Sequence, residues 1–470
     1  MNEAAIQPGY SKTMLTMTLN EIKEATDAHL NNNVSEHTEC IRGINTDSRT
    51  IKPGELFIAL KGENFDAHDF ILHAKNRGAS AYLIDHDINS FKPSIVVQDT
   101  RVAFGQIASA WRGKFNYPVI AVTGSNGKTT VKEMLNSIFN VQGSVLATQG
   151  NFNNDIGVPI TLCRMTNEHD TAVIEMGANH QKEISYLTQL VKPDVAIITN
   201  ASAAHLEGFG SIEGVAKAKG EIFEGLPESG IAILNMDDAQ YCYWKKLVKN
   251  KKVITFGENK QADIRYTLEA NGDLQIEINH NKAFLLNLPL LGKHNINNAL
   301  AAIAAAIALD VDHQAIKEGL ESIKAVPGRL EKKQGIKNTI IIDDTYNANP
   351  ASLAAAVNAI KALQFQSHMV LGDMGELGEQ ADILHKESAE VIAKANFKYV
   401  YTLGANSKST YDYLVDKNIT AQHFATHQEL FSQLEKNISP NDLVLVKGSR
   451  SMHMENIVNA LCDLANEVKS

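Results

Sequence analysis

The segment Pro118–Val131, PVIAVTGSNGKTTV, joins an apolar run, a glycine-containing turn and a Lys-Thr-Thr sequence. The apolar residues predict a buried strand, and Lys128 with the two threonines predicts the first turn of a helix. A glycine-rich turn between a strand and a helix is typical of phosphate-binding loops, in which backbone N–H groups at the helix N-terminus surround the phosphates. The segment therefore predicts a site for a nucleoside triphosphate.

The spacing of the glycines departs from the strict P-loop pattern G-x-x-x-x-G-K-[ST]. Val122 stands where that pattern has its first glycine, and Gly124 lies only three residues before Gly127. In such a loop Lys128 contacts the β- and γ-phosphates, and the hydroxyl of Thr129 binds Mg²⁺. A simple glycine turn after a strand is the alternative interpretation, which the Lys-Thr-Thr helix start disfavours. The variant spacing indicates a particular class of ATP-using enzyme.

Length, charge and cysteine content restrict the class of protein. A chain of 470 residues is too long for one ordinary core, so we expect two or three domains. The net charge of −10 argues against a broad nucleic-acid-binding face. No apolar run reaches the length of about 18 residues that a membrane helix needs, and no signal-peptide pattern opens the chain. With four scattered cysteines, these features predict a cytoplasmic protein that does not insert into a membrane.

Strand-like runs divide the first two thirds of the chain into two regions. Residues 1–116 contain short runs separated by turns, among them Lys52–Glu55, where Pro followed by Gly suits a type II turn. Residues 117–325 alternate continuous apolar strands with helical segments, which predicts a parallel sheet covered on both faces. The alternating pattern around Asn271 and Gly272 predicts a hairpin at the edge of that sheet.

The pattern breaks at Val326–Gly328, and residues 326–470 form a third region that alternates strands and helices without a second P-loop. We therefore predict an α/β protein of three domains. These are a small N-terminal α/β domain, a central P-loop mononucleotide-binding domain with a mostly parallel sheet, and a C-terminal Rossmann-like domain. The nucleotide is expected between the second and third domains, because ligand clefts form at domain interfaces and at the carboxyl ends of strands.

Two groups suited to a metal ion follow predicted central strands. Glu175 ends the strand AVIEMG, and His205 lies in the loop after VAIITN. Either residue alone would be an ordinary solvated side chain, but beside a P-loop a carboxylate and an imidazole can complete the shell of Mg²⁺. Lys217 and Lys219 lie on a predicted helix just after His205, and their pattern alone predicts two solvated lysines.

Other polar residues stand at helix starts, strand ends and the linker. His294 and Asn295 begin a long apolar helix, where Asn295 is either an N-cap or a contact of adenine or phosphate. Arg329 lies at the predicted linker, either as a surface side chain or as a group that reaches phosphates on domain closure. Asp343 and Asp344 end a buried strand of the third region, and a helix cap accounts for one of them.

Several longer motifs occur in a fixed order along the chain: TGSNGKTT, NFNNDIGVP, EMGANHQKEI, GKHNINNALAA, VPGRLE, DDTYNANPAS, LGDMGELG and VKGSRSMHMENIV. In this series, and over essentially the whole chain, the sequence resembles the Mur ligase family. The central loop is shared with folylpolyglutamate synthases, whereas DDTYNANP, LGDMGELG and KGSRSMHME are typical of the D-alanyl-D-alanine-adding type. The DNPR signature of the diaminopimelate- or lysine-adding type is absent from the sequence.

The resemblance implies an ATP-dependent ligase that adds D-alanyl-D-alanine to UDP-N-acetylmuramoyl-tripeptide in peptidoglycan synthesis. We expect the protein to be a monomer. In this family ATP phosphorylates the peptide carboxylate, the amine attacks the acyl phosphate, and a tetrahedral intermediate releases phosphate. A sister ligase that adds another amino acid or acts on folate is the alternative within the superfamily. An inactive ATP-binding module is the alternative outside it, against which Lys128, Glu175, His205 and Lys219 together argue.

The motifs of the family also imply which residues form the site. The nucleotide contacts are Gly124, Ser125, Asn126, Gly127, Lys128, Thr129, Thr130, Asn295, Arg329, Asp344 and Asn347. The ligands of Mg²⁺ are Thr129, Glu175, His205 and Lys219, and the lysine is the one that much of the family carbamylates with CO₂. The catalytic residues are Lys128, His205, Lys219, Asn295 and Arg329.

Substrate contacts are implied at two further places. Ser48 and Arg49 resemble the part of the family that meets the uridine diphosphate end. Asn151, Asn153 and Asn154 resemble the central loop near the muramoyl-peptide.

Overall fold

A computed structural model describes residues 15–31, 40–62, 64–88 and 91–467 of the chain. Within these ranges the protein has three α/β units, each built on its own sheet. The prediction of an α/β fold with three domains is confirmed. Among the described helices, none is both long and apolar enough to cross a membrane.

The N-terminal unit is small and its strands are short. Its strands are β1 (Thr16–Thr18), β2 (His29–Asn31), β3 (Cys40–Arg42), β4 (Ile44–Asn45), β5 (Leu56–Ile58), β6 (Ala81–Ile84) and β7 (Ser94–Val96). Its helices are α1 (Leu19–Thr26), α2 (Ile71–Asn76) and α3 (Thr100–Arg112). In the described residues the main sheet has the order β2-β7-β6-β5-β4, with only β2 antiparallel, and β1 pairs with β3. The predicted turn closes where the N–H of Glu55 donates to the carbonyl of Lys52.

The central unit contains the largest sheet. Its strands are β8 (Val119–Thr123), β9 (Val145–Ala147), β10 (Thr171–Glu175), β11 (Val195–Ile198), β12 (Ile231–Asn235), β13 (Lys252–Phe256), β14 (Ile264–Leu268), β15 (Leu274–Ile278) and β16 (Asn281–Leu286). Its helices are α4 (Lys128–Asn140), α5 (Gly157–Leu162), α6 (Glu183–Val191), α7 (Leu206–Phe209), α8 (Ile212–Gly220), α9 (Tyr241–Leu247), α10 (Lys293–Ala308) and α11 (His313–Glu321).

The strand order of this sheet is β16-β15-β14-β13-β12-β11-β8-β10-β9. Strands β8 to β14 run parallel, and the hairpin of β14 and β15 is antiparallel, as predicted. Strand β16 extends the hairpin and forms the edge. Because side chains alternate along a strand, Ile120 and Val122 of β8 belong to the core with α4 and α10, whereas Val119 and Ala121 belong to the core with α3 and α6.

The C-terminal unit has a second, mostly parallel sheet. Its strands are β17 (Glu331–Gln334), β18 (Ile340–Asp344), β19 (Ser367–Gly372), β20 (Tyr399–Leu403), β21 (Ala421–Phe424) and β22 (Leu443–Lys447). Its helices are α12 (Pro350–Lys361), α13 (Ala381–Ala393), α14 (Lys408–Asp416), α15 (His427–Asn437) and α16 (Glu455–Glu467). The order is β17-β18-β22-β19-β20-β21, and only β17 is antiparallel.

Short 3₁₀ helices complete the secondary structure at Ala67–Phe70, Glu221–Gly225, Ile336–Asn338, Gly378–Gln380 and Arg450–Met452.

The direction of the strands determines where a ligand site can form. The carboxyl ends of β8, β10 and β11 meet at one edge of the central sheet, and the carboxyl ends of β18 and β22 face that edge from the C-terminal unit. Such edges are where α/β proteins bind ligands.

Candidate active site

A cavity of about 1060 Å³ lies between the carboxyl ends of the two parallel sheets. All three units contribute to its wall: helix α3 from the N-terminal unit, the P-loop segment and the starts of α6 and α10 from the central unit, and the loops after β18 and β22 from the C-terminal unit. A cavity of this size suits a nucleotide together with part of a second substrate.

Two glycines give the P-loop its shape. Gly124 has a φ of +148° and Gly127 a φ of +84°, both in the region that side chains other than glycine rarely adopt. A Cβ at Gly124 would clash with the hydroxyl of Thr199, and a Cβ at Gly127 would clash with the side-chain oxygen of Asn298. Helix α4 begins at Lys128 directly after the turn, so its N-terminus opens into the cavity.

The side chain of Lys128 folds back over the loop. Its Nζ donates to the carbonyl oxygen of Gly124 at 2.7 Å and to that of Ser125 at 3.3 Å. Burial lowers the pKa of Lys128, while the negative charge of Glu175 acts in the opposite direction. The lysine is therefore held across the loop.

Asn126 ties the P-loop to the loop after β11 and to the C-terminal unit. Its backbone carbonyl accepts hydrogen bonds from the hydroxyl of Thr199 at 2.6 Å and from Nδ2 of Asn200 at 3.0 Å. Its side-chain Nδ2 donates to Oγ of Ser202 at 2.9 Å. Its Oδ1 accepts from Nδ2 of Asn349, in the C-terminal unit, at 2.8 Å. The loop conformation thus depends on residues after β11 and on contact with the third unit.

The end of β10 supplies a buried carboxylate with spare bonding capacity. Only 2% of Glu175 is exposed, and its Oε1 accepts from Nδ2 of Asn153 at 2.8 Å. Its Oε2 is buried and has no hydrogen-bond partner among the described residues. Buried polar atoms are normally paired, so an unpaired carboxylate oxygen beside a phosphate loop fits a cation.

His205 lies at the interface with the C-terminal unit. Its Nδ1 is 2.5 Å from Oε2 of Glu376, although the contact lacks hydrogen-bond geometry. The two residues both line the cavity. An imidazole nitrogen and a carboxylate oxygen are both ligand types that a divalent cation accepts.

Lys219 is buried, and the expectation that it is solvated is wrong. Only 1% of the residue is exposed, its Nζ donates to the carbonyl of Ala178 at 3.4 Å, and the ring of Phe209 lies 5.2 Å away. Loss of solvation, with the charge of Lys128, lowers the pKa of Lys219 to about 7. Lys217 is exposed as expected, because residues two apart on a helix point to opposite sides.

Asn295 does not cap α10, so that interpretation is wrong. The N-cap position is Gly292, and Nδ2 of Asn295 donates to the carbonyl of Leu291 at 2.8 Å. Its Oδ1 accepts from Nδ2 of Asn298 at 3.1 Å. Asn297 and Asn298 also line the cavity, and Oδ1 of Asn297 is buried without a partner in the described part of the chain. The start of α10 therefore presents a row of amides to a ligand.

An ion pair joins the ends of β18 and β22. Nζ of Lys447 lies 2.5 Å from Oδ2 of Asp344 and donates to the backbone carbonyl of Asn347 at 3.0 Å. The side chains of Asp343 and Asp344 do not cap α12, because its N-cap is Asn349. Asp343 instead accepts from nearby groups on β17 and in the loop after β18, so only Asp344 faces the cavity.

Arg329 connects the P-loop to the C-terminal unit and is not a free surface side chain. Its Nη2 donates to the hydroxyl of Thr129 at 3.2 Å. Its guanidinium carbon lies 4.2 Å from the centre of the Tyr346 ring, a cation–π contact. Its Nε is buried and unpaired within the described ranges. A guanidinium with an unused donor beside the phosphate loop is suited to contact a phosphate.

The sequence that forms this cavity matches one known protein family in three consecutive segments. Family models match as the Mur ligase family catalytic domain over residues 40–112, the Mur ligase middle domain over 122–306, and the Mur ligase glutamate ligase domain over 328–450. The UDP-N-acetylmuramoyl-tripeptide–D-alanyl-D-alanine ligase of Escherichia coli (strain K12) is 42% identical over 463 residues, 95% of this chain and 99% of that protein. The chain belongs to the Mur ligase family.

The backbone fold of this Mur ligase is similar to solved structures of relatives over nearly its whole length. Crystal structure I of MurF from Acinetobacter baumannii has a TM-score of 0.90 at 34% identity, covering 96% of this chain and 99% of that one. MurF ligase from Thermotoga maritima, solved in complex with ADP, has a TM-score of 0.80 at 26% identity, covering 92% and 99%.

Most residues predicted for the site of this Mur ligase surround the cavity, but some do not line it. Thr129 and Lys219 lie one layer behind the wall, in contact with the lining residues Arg329 and Ala178. Gly124 shapes the loop without lining the cavity. Ser48 and Arg49 also lie outside the lining: Oγ of Ser48 is 3.0 Å from Nδ1 of His73, and Arg49 is exposed and pairs with Asp47.

The three predicted asparagines differ in their surroundings. Asn151, Asn153 and Asn154 all line the cavity, but only Asn153 contacts Glu175, whereas Oδ1 of Asn154 accepts from the N–H of Gly157 at the start of α5.

Several residues that line the cavity are not predicted from the sequence, namely Arg101, Asp155, Tyr186, Asn200, Ser202, Asn298, Tyr346, Asn349, Glu376 and Lys447. For Lys447 a signal existed, because a lysine at the end of an apolar strand is costly unless it is paired.

We expect Arg329→Met to raise the KM for ATP about 10- to 150-fold. The substitution keeps the stem that packs on Tyr346 but removes a charged donor, which is worth about 1.5 to 3 kcal/mol. Initial rates of ADP release at varied ATP measure the effect. Arg77→Met, on an exposed arginine outside the cavity, is the control. An unchanged KM for ATP in Arg329→Met would contradict a role in nucleotide binding.

Proposed function

We propose that this Mur ligase joins D-alanyl-D-alanine to UDP-N-acetylmuramoyl-tripeptide with cleavage of ATP to ADP and phosphate, the step that completes the pentapeptide precursor of peptidoglycan. The observation that carries the proposal is the meeting of Lys128, Glu175 and Arg329 around one cavity lined by all three units. The name of the Escherichia coli relative, at 42% identity over 95% of the chain, supports the choice of substrates.

The reaction proceeds in two steps. The carboxylate of the tripeptide attacks the γ-phosphorus of ATP, which forms an acyl phosphate and releases ADP. The amine of D-alanyl-D-alanine then attacks the acyl carbon, loses a proton, and expels phosphate from the tetrahedral intermediate as the amide forms. The chain supplies position and charge: Lys128 and Arg329 neutralise phosphate oxygens, and Asn295 and Asp344 with Asn347 orient the nucleotide.

The residues present fit a divalent cation. Thr129, Glu175, His205 and carbamylated Lys219 would hold Mg²⁺, and the unpaired Oε2 of Glu175 is the observation that favours it. When bound, Mg²⁺ supplies positive charge that neutralises the phosphates and the developing charge on the transferred group. Glu175 is itself held in place by Nδ2 of Asn153.

Lys219 is proposed to carry a carbamate. Its pKa of about 7 leaves a large fraction of the amine neutral at neutral pH. A neutral amine attacks the carbon of CO₂, a C–N bond forms, one proton is lost, and the product is an anionic carbamate. A carbamate converts a buried cation, which would repel Lys128 and Mg²⁺, into an oxygen ligand.

The remaining assignments are part of the same proposal. Ser48 and Arg49 meet the uridine diphosphate end, and Asn151, Asn153 and Asn154 meet the muramoyl-peptide. Domain 1–116 binds the UDP end of the substrate, and domain 117–325 binds ATP through its P-loop. Domain 326–470 contacts the same nucleotide from the other side of the cavity. In this proposal the protein acts as a monomer. The four cysteines are free, which supports a cytoplasmic location.

Release of ADP tests the proposal. Purified protein receives ATP, Mg²⁺, UDP-N-acetylmuramoyl-tripeptide and D-alanyl-D-alanine, and each acceptor is omitted in turn. We expect ADP release to require both acceptors and the pentapeptide product to appear by mass spectrometry. Release that ignores the dipeptide but responds to a free amino acid would assign the protein to a sister ligase. Nucleotide binding without release under any combination would leave an inactive ATP-binding module.

A further inference from the structure

One corner of the cavity, at the junction of the N-terminal and central units, holds charged groups that the reaction steps above leave without a role. We call it the junction corner and define it by Arg101, Val102, Asp155, Gln181 and Tyr186, all of which line the cavity. Nη1 of Arg101 lies 2.9 Å from Oδ2 of Asp155, and their side chains are 38% and 35% exposed. The pair is therefore open to a ligand.

The junction corner also contains unused hydrogen-bonding capacity. The hydroxyl of Tyr186 and Oε1 of Gln181 are buried and have no partner within the ranges that the structure describes. Nε2 of Gln181 donates to the carbonyl of Gly214, so its free atom is an acceptor, and the tyrosine hydroxyl is a donor. Buried orphan groups are rare in folded proteins. Burial raises the pKa of Tyr186 to about 12 and the charges of Asp155 and Arg101 also act on it, which places this hydroxyl near the ion pair.

The remaining charges near the junction corner are already engaged. Oδ1 of Asp99 accepts from the backbone N–H groups of Arg101 and Val102 at the start of α3. Lys182 and Glu183 also line the cavity: the exposed Nζ of Lys182 lies 3.7 Å from Oε1 of Glu224, and Oε2 of Glu183 accepts from the backbone N–H of Asn179 at 2.7 Å. The side chain of Val102, which is 45% exposed, adds apolar surface. A ligand here meets one cation, one anion, one donor, one acceptor and an apolar wall.

The corner lies within reach of the reacting carboxyl group. Asn153 contacts Glu175, and Asp155 follows Asn153 by two residues, a chain span of at most about 7 Å. In the proposed reaction, the C-terminal carboxylate of the tripeptide reacts beside Lys128 and Glu175. The side chain of that third residue then starts at the reaction centre, and a chain of four carbon–carbon bonds extends about 5 Å.

We infer that the junction corner binds the side chain of the third peptide residue and selects one that ends in an amino acid head group over one that ends in an ammonium alone. A head group with a carboxylate and an ammonium, as in diaminopimelate, pairs its carboxylate with Arg101 and its ammonium with Asp155. A lysine ammonium must instead compete with Arg101 for Asp155 while that guanidinium repels it. The methylenes pack on Val102. This inference rests on the proposed function.

Two opposite charge changes test the assignment in the full-length enzyme. The kcat/KM values are measured by ADP release with two UDP-N-acetylmuramoyl-tripeptides that differ only in diaminopimelate or lysine at position three. The wild type is expected to prefer diaminopimelate about tenfold. Arg101→Met is expected to reduce this preference to about onefold, mainly by slowing the diaminopimelate substrate. Asp155→Asn leaves Arg101 unopposed, which repels a lone ammonium more strongly, so the preference is expected to rise severalfold.

The two variants separate recognition from a structural role of the ion pair. If Arg101 and Asp155 only fasten α3 to the central unit, both variants lower both rates in proportion and the ratio stays constant, which overturns the assignment. Equal kcat/KM values for the two tripeptides in the wild type overturn it as well. Arg77→Met is the matched control and keeps the wild-type ratio.

The outcomes also distinguish this assignment from the proposed function. Ligation of either tripeptide to D-alanyl-D-alanine supports the proposed function whatever the ratio. Absence of ADP release with both tripeptides overturns the proposed function and this assignment together.

Discussion

Lys128→Ala protein is expected to release ADP at no more than about a thousandth of the wild-type rate. The Nζ group is the charged donor that crosses the P-loop, where it contacts the carbonyls of Gly124 and Ser125. Without this ammonium group, the negative charge on the γ-phosphate is not neutralised by a lysine during phosphoryl transfer. Initial rates with saturating ATP, tripeptide and dipeptide measure the loss.

The fold is expected to survive this substitution. Two hydrogen bonds from a charged donor to backbone carbonyls are lost, each worth about 1.5 to 3 kcal/mol, and this loss is offset by relief of the desolvation of a buried ammonium. Thermal unfolding should therefore stay within about 5 °C of the wild type. Lys217→Ala, on an exposed lysine, controls for the loss of a positive charge. Wild-type activity in Lys128→Ala would show that the loop does not bind the transferred phosphate.

Lys219→Ala is expected to reduce ligation about 100-fold and to regain at least tenfold of that loss in the presence of formate, acetate or propionate. Removal of the side chain leaves a space beside Ala178 and Phe209 that a short carboxylate can enter. Such an anion supplies the oxygen ligand that a carbamate provides. Ligation rates over a series of carboxylate concentrations measure the rescue.

Two controls make this result specific. The same carboxylates should not rescue Lys128→Ala, because that variant lacks a cation rather than an anion. Wild-type enzyme prepared without CO₂ should lose activity and recover it when bicarbonate is added, since the neutral amine that reacts with CO₂ is available near the pKa of about 7. Metal binding that is unchanged in Lys219→Ala, with no rescue by any carboxylate, would rule out the carbamate.

Most strands of the two large sheets could be predicted, because a buried strand consists of consecutive apolar residues and is visible within its own short segment. Every residue of β8 and β10 is buried, so each strand appears as a continuous apolar run. The edge strands β16 and β17 were not predicted. Their sequences, NKAFLL and EKKQ, are partly or largely polar because one side of an edge strand faces solvent.

The residues of the candidate site also divide into those that could be predicted from a local segment and those that could not. Gly124, Gly127 and Lys128 could be predicted from a single segment, because the turn needs glycines and the helix start needs the lysine at a set distance. Lys219 could not be assigned from its own segment, since helical spacing separates it from Lys217 without telling which side is buried. The partner of Asp344 could not be predicted either, because Lys447 lies 103 residues away along the chain.

What the sequence determined by itself is therefore the set of short-range features: the strand, turn and helix of the P-loop, the apolar strands, and the family to which their motifs belong. What only the tertiary structure decided is which polar groups are buried and which charges meet. The burial of Lys219, the pairing of Lys447 with Asp344 and the junction corner of Arg101 and Asp155 each depend on segments that are distant in sequence. Desolvation and ion pairing act through space, so these properties exist only after the three units have packed together.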